Sequence, residues 1–230
     1  MSKIGVLITS HPGHKIFIKE TLKHYAEIAK LHPVVWGWDS TPDTFRHELP
    51  DNIELMPLGR RYGLQEGERL QLLKGAEKLK EKGCDYMLKT AGDYIIRKPD
   101  SLSLLIEYMG DDDFLSMHAQ PREYALGTAI FFCKTEALIK IINYVAEGGT
   151  VSIPIKSGQV VPKTIECQLG VSLKENGYNR ATQLRPWWGE IIGLRDLQRE
   201  WIMKTGKKMG AAWEEGQKEY DLTEEQLNQL

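Results

Sequence analysis

The chain has 230 residues, 41% hydrophobic and 27% charged, which excludes a disordered, collagen-like or coiled-coil polymer and allows one large domain with a sizeable core. Thirty basic residues against 32 acidic ones leave a formal charge of −2, so no global basic field draws nucleic acid or anionic lipid to the molecule, although a local basic patch is compatible with that balance. Cys84, Cys133 and Cys167 form no Cys-x-x-Cys pair, and no signal-like or ~18-residue apolar run occurs, so a reducing, cytoplasmic setting without a membrane span is expected.

Lys3 to Thr9 reads as a buried strand closed by a Ser-His-Pro-Gly turn. Ile18, Leu22, Tyr25 and Ala29 then mark one face of a helix, and Val34 to Trp38 a second apolar strand that ends at Asp39. This is a βαβ unit, for which a parallel sheet is the default. A short strand around Glu54 to Met56 precedes a loop from Gly59 to Gly67 and a helix striped by Leu72, Leu73, Ala76 and Leu79, with Gly83 as its stop. Asp85 to Lys89 is strand-like, Thr90 to Asp93 turns, and Asp100 or Ser101 is expected to cap a helix bearing Leu102, Leu105, Ile106 and Met109. Asp111-Asp112-Asp113 reads as a solvated turn. Strands at Phe114 to Met117 and Ala129 to Cys133 precede a helix carrying Leu138, Ile141, Ile142 and Val145. Thr150 to Lys163 reads as a loop or hairpin, and a helix follows from Thr164 to Asn176 before Gly177. The charged tail after Asp196 is helical in pattern, with Thr223 and Gln226 spaced as a capping box. The expected organisation is a main domain over 1–195 with a helical extension, 196–230, packed on it.

Several sites are excluded by residue type and spacing: there is no Gly-x-Gly-x-x-Gly after the first strand, no Walker loop and no Gly-x-Ser-x-Gly elbow. Two carboxylates stand at or just beyond strand carboxyl ends, Asp39 and Asp93, the edge where open α/β sheets collect ligands. A carboxylate there accepts hydrogen bonds from a ribose or base, or holds a divalent cation; it equally closes a turn through its own backbone.

The order of these motifs resembles the GT-A glycosyltransferases, enzymes that use nucleotide sugars. The resemblance spans Lys3 to Trp188 and rests on the first βαβ ending in Asp39, the loop and helix from Gly63 to Gly83, and the stretch Asp85 to Asp93. That stretch is similar to the strand leading into the family's Asp-x-Asp metal motif, with Ala91 in place of the first Asp. Thr164 to Tyr178 is similar to the acidic-start helix that ends in Gly-Tyr. The resemblance implies an α/β, Rossmann-like GT-A fold with a mostly parallel sheet and helices on both faces. It further implies transfer of a sugar from a nucleotide-diphosphate sugar to a saccharide or other hydroxyl acceptor, with inversion. Glu166 is implied as the general base, Asp93 as a ligand of Mn or Mg, Asp39 as a nucleoside contact, and Arg69, Arg61 or Lys89 as partners of the phosphates. Thr9 and Ser10 are placed to hydrogen-bond a base or ribose, and Trp187-Trp188 to stack on an acceptor sugar. A non-catalytic nucleotide-binding relative and a sugar nucleotidyltransferase are the alternatives; Ser10 to His14 is a poor phosphate loop for the latter.

Overall fold

Alternation along the first strand sends Val6 and Ile8 into one apolar layer and Leu7 into another, the pattern of a central strand covered on both faces. The computed structural model describes residues 2–116, 126–147, 164–182, 192–207 and 214. In chain order the elements are β1 (Ile4–Ser10), α1 (Lys15–Ile28), β2 (Val34–Trp38), β3 (Ile53–Pro57), α2 (Leu64–Glu81), β4 (Tyr86–Ala91), β5 (Tyr94–Ile95), α3 (Leu104–Met109), β6 (Phe114–Ser116), β7 (Ile130–Lys134), α4 (Thr135–Ala146), α5 (Ile165–Glu175), β8 (Arg180–Thr182), β9 (Arg195–Asp196) and α6 (Leu197–Thr205).

The main sheet has the order β3-β2-β1-β4-β7-β6-β8. β1 is parallel to β2 and β4, and β2 is parallel to β3. β7 is antiparallel to both neighbours, so the parallel default from the first βαβ unit fails at this strand. β6 and β8 are parallel to each other, and β5 and β9 form a separate antiparallel pair. The fold is therefore α/β with a mostly parallel central sheet.

Helices cover both faces. Ile18, Leu22 and Tyr25 of α1 and Leu105 and Met109 of α3 meet Val6, Ile8, Trp36 and Leu88 on one side. On the other, Leu72, Ala76 and Leu79 of α2, Leu138 and Ile141 of α4 and Leu169 of α5 meet Leu7, Val35 and Met87. Each fully buried Leu or Ile in these layers contributes about 1.5–3 kcal/mol relative to exposure. Gly83 ends α2 at φ +77°, a conformation that costs a residue with a Cβ.

Three local expectations are corrected. β4 runs through Ala91 instead of turning at Thr90. Neither Asp100 nor Ser101 caps α3: Pro99–Ser101 forms a 3₁₀ turn, and Ser103 at the N-cap makes no side-chain cap bond. Asp113 is a staple, accepting from Lys134 Nζ at 2.8 Å and from Asn179 N at 3.1 Å, so it ties β7 to the entry of β8. In the extension, Asp196 caps α6 by accepting from Arg199 N, and Leu197 packs against Phe17 and Ile95. The Thr150–Lys163 loop or hairpin, Trp187-Trp188 and the Thr223 capping box lie outside the described residues. No helix among the described residues is long and apolar enough to cross a membrane.

Candidate active site at the carboxyl edge

The carboxyl ends of β1 and β4 and the first turns of α2 and α5 enclose a cleft of about 340 Å³. Thr9, Ser10, Lys89, Asp93 and Glu166 all line it. Asp39 and Arg69 do not.

The floor is built where three apolar stripes turn polar. Met87 and Leu7 face α2, and two residues further along the same sides of the strands come Lys89 and Thr9. The α2 stripe Leu79, Ala76, Leu72 continues towards the helix start as Glu68 and Gln65. Lys89, 1% exposed, places Nζ 2.5 Å from Glu68 Oε1 and donates to the Thr128 carbonyl. Thr9 Oγ1 donates to the same Glu68 oxygen at 3.4 Å. Ser10 is more fully engaged: its N–H donates to Gln71 Oε1, its hydroxyl donates to the Gly37 carbonyl, and Trp36 Nε1 donates to its Oγ.

Glu166 lines the same cleft from the first turn of α5. Thr164 caps that helix by accepting from Cys167 N, and Ile165 N donates to Gln65 Oε1 at 2.5 Å, which fastens the helix start to α2. The Thr128 hydroxyl donates to Glu166 Oε1 at 3.4 Å. A carboxylate in a helix's first turn is favoured by the macrodipole.

Asp93 follows β4 and is 3% exposed, its Oδ1 3.8 Å from His14 Nε2. Burial first, and then the negative charge of Asp196, raises its pKa to about 7. Burial, with the charges of His11 and Lys89, holds His14 well below the usual imidazole range. His11 is lowered to about 4 by burial and by Arg61. The two imidazoles are therefore neutral at pH 7, and Lys89 carries the positive charge among the described lining residues.

The linkage has a definite sign. Asp93 binds its proton more tightly folded (about 7) than exposed (3.8), so its stabilising contribution is complete at low pH and is lost as pH rises to about 7. Asp93→Asn is expected to gain on the wild type by roughly 3–5 kcal/mol between about pH 4 and 7, and to hold that gain above. Urea unfolding across pH measures it. Parallel stability curves for the two proteins would show that Asp93 does not titrate in this way.

Asp39, 2% exposed, accepts from Tyr62 N at 2.8 Å through one oxygen and from Gly63 N at 3.1 Å through the other. It holds the loop that enters α2, and a Cβ on Gly67 would lie 2.5 Å from its Oδ2, so the helix seats on the carboxylate only because Gly67 has none. Burial raises the Asp39 pKa, and the two backbone donors oppose that rise. Asp39→Ala is expected to cost about 2–4 kcal/mol of stability by orphaning two backbone N–H groups, with Asp39→Asn intermediate. If calorimetry instead shows nucleotide affinity falling with the unfolding midpoint unmoved, Asp39 is a ligand contact. Arg69 makes a two-point ion pair with Glu66 on the outer side of α2.

Sequence reasoning missed Glu68, Gln65, Thr128 and the burial of His14. The first two had a signal, since they extend the apolar stripe of α2 with polar residues. The divalent cation implied by the resemblance would find one carboxylate of the expected pair: Ala91 brings no side-chain oxygen beside Asp93, and no three His, Cys, Asp or Glu side chains converge among the described residues.

No protein-family model matches the chain, and no curated protein matches it significantly. Among solved structures it is similar to a cytidylyltransferase from Leptospira borgpetersenii serovar Hardjo-bovis (strain JB197), at 17% identity over 80% of this chain and 76% of that one, with a TM-score of 0.44.

Proposed function

We propose that the protein is an inverting glycosyltransferase that moves a sugar from a nucleotide-diphosphate sugar to a hydroxyl acceptor. The observation that carries this reading is the meeting, in one cleft at the carboxyl edge of the sheet, of Glu166 on a helix start and Lys89 on the floor, both held by Thr128. In the reaction the acceptor hydroxyl gives its proton to Glu166 and its oxygen attacks the anomeric carbon. The bond from that carbon to the diphosphate oxygen breaks, and the nucleoside diphosphate leaves with the electron pair. Lys89 stabilises the charge that grows on the leaving group. Thr9, Glu68 and Gln65 supply hydrogen-bonding groups for the hydroxyls of ribose or sugar. No step is routed through a divalent cation, so affinity for a nucleoside diphosphate is expected to be the same with and without Mn²⁺.

Thermal-shift and turnover measurements over a panel of nucleotide sugars test the reading, because a ligand bound by the native state raises the midpoint by mass action. Binding with release of nucleoside diphosphate supports it. Binding without turnover points to a non-catalytic relative, and turnover only of a nucleoside triphosphate with a sugar 1-phosphate would replace it with nucleotidyl transfer.

A further inference from the structure

The residues that open the C-terminal extension each have a structural task, with one exception. Arg195 and Asp196 pair as β9 with Ile95 and Tyr94 of β5, and Leu197 N donates to the Asp93 carbonyl at 2.8 Å. The Asp196 side chain caps α6, Leu197 packs against Phe17 and Ile95, and the Arg195 guanidinium pairs with Glu20 at 2.8 Å and with Glu200. These contacts seat the start of α6 on Asp93, just past the end of β4. Gln198, the next residue, lines the carboxyl-edge cleft with Asp93 and Tyr94, and among the described lining residues it alone comes from the extension. It is partly buried, yet its side chain makes no hydrogen bond among the described residues. A polar side chain that the fold does not use, set in a cleft, is the kind of group that fixes a ligand's orientation.

We propose that Gln198 reads a hydroxyl of the transferred sugar, so that the C-terminal extension supplies a specificity-determining residue of the cleft. An amide carries an acceptor oxygen and N–H donors without net charge, and a hydroxyl, which both donates and accepts, satisfies both ends of it. A phosphate oxygen only accepts and is better met by the Lys89 ammonium. The strand order places the contact at the sugar. Lys89 lies on β4, whose end carries Asp93 and hence the start of α6, and Thr128, which holds both Lys89 and Glu166, leads into the neighbouring β7. Gln198 is thereby tied to the strand end that carries the reacting groups, and these surround the anomeric carbon. The proposal deepens the sugar-transfer reading and rests on it for the class of ligand.

Calorimetry with UDP, GDP, ADP and TDP, and with the glucose and mannose conjugates of each, tests it alongside turnover of the same conjugates. Gln198→Ala and Gln198→Met, the second of which keeps the length of the side chain without its amide, are each expected to weaken the best-bound conjugate about tenfold and to leave the matching diphosphate unchanged. Conjugates of the deoxy sugars give the sharper readout. One of them should bind the wild type about tenfold more weakly than its parent, and neither variant should tell the two apart. Arg199→Ala, at the exposed neighbouring position of α6, should bind as the wild type does. Equal losses for diphosphate and conjugate would put Gln198 on the ribose or the phosphates and overturn the proposal. So would undiminished conjugate affinity in both variants, deoxy discrimination that survives in them, or a wild type that binds none of the conjugates. The sugar-transfer reading fails separately, if conjugates bind in a Gln198-dependent way and no nucleoside diphosphate is released.

Discussion

Glu166→Gln is expected to lower turnover by about 10²–10⁴-fold while leaving donor affinity and the unfolding midpoint near those of the wild type. The substitution keeps the shape of the side chain and one oxygen to accept from the Thr128 hydroxyl, so the local structure has no reason to move. What it removes is the capacity to take a proton. The structural bonds at this helix start run through neighbouring groups, Thr164 Oγ1 to Cys167 N and Ile165 N to Gln65, and the backbone carbonyl of Glu166 accepts from Leu126 N. A loss of stability together with donor affinity would make Glu166 a packing residue. Unchanged turnover would mean that another group takes the proton or that the transfer is not inverting.

How far the site could be read from sequence depends on whether its contacts are periodic or remote. β1, β2 and the stripes of α2 and α4 follow from apolar spacing because burial on a sheet face selects that spacing directly. The same periods carry the cleft floor: Met87 to Lys89, Leu7 to Thr9, and Leu72 to Glu68 each continue a buried stripe with a polar residue at the carboxyl edge. That signal was legible for Lys89 and Thr9, near the carboxyl ends of their strands, and overlooked for Glu68, which passes for an ordinary acid in the early turns of a helix. Asp39 was placed at its strand end by the same logic, but its partners Tyr62 and Gly63 lie 23 and 24 residues away and donate from backbone, which no side-chain pattern announces. The direction of β7 was illegible for a related reason. Its apolar run is the same read either way, and its pairing with both β4 and β6 is decided by the path of the chain between them.

Lys89→Met is expected to destabilise the fold by about 3 kcal/mol and to weaken nucleoside diphosphate binding by about 10–100-fold. The stability loss arises from what remains: Glu68 Oε1 would keep only the Thr9 hydroxyl at 3.4 Å where an ammonium stood at 2.5 Å, and a carboxylate left facing a low-dielectric wall is costly. Glu68 retains 18% side-chain exposure, which puts the cost at the low end for a broken buried pair. The double variant Lys89→Met, Glu68→Leu separates the two effects. Replacing both charges by apolar groups between Leu72 and Met87 removes the orphan, so most of the stability should return in urea unfolding while calorimetry still finds diphosphate binding weak. If the double variant recovers affinity along with stability, Lys89 serves the fold and the phosphates are held elsewhere. If the single variant is as stable as the wild type, the pair is solvated in the free protein, and its contribution to the cleft is made only when a ligand excludes water.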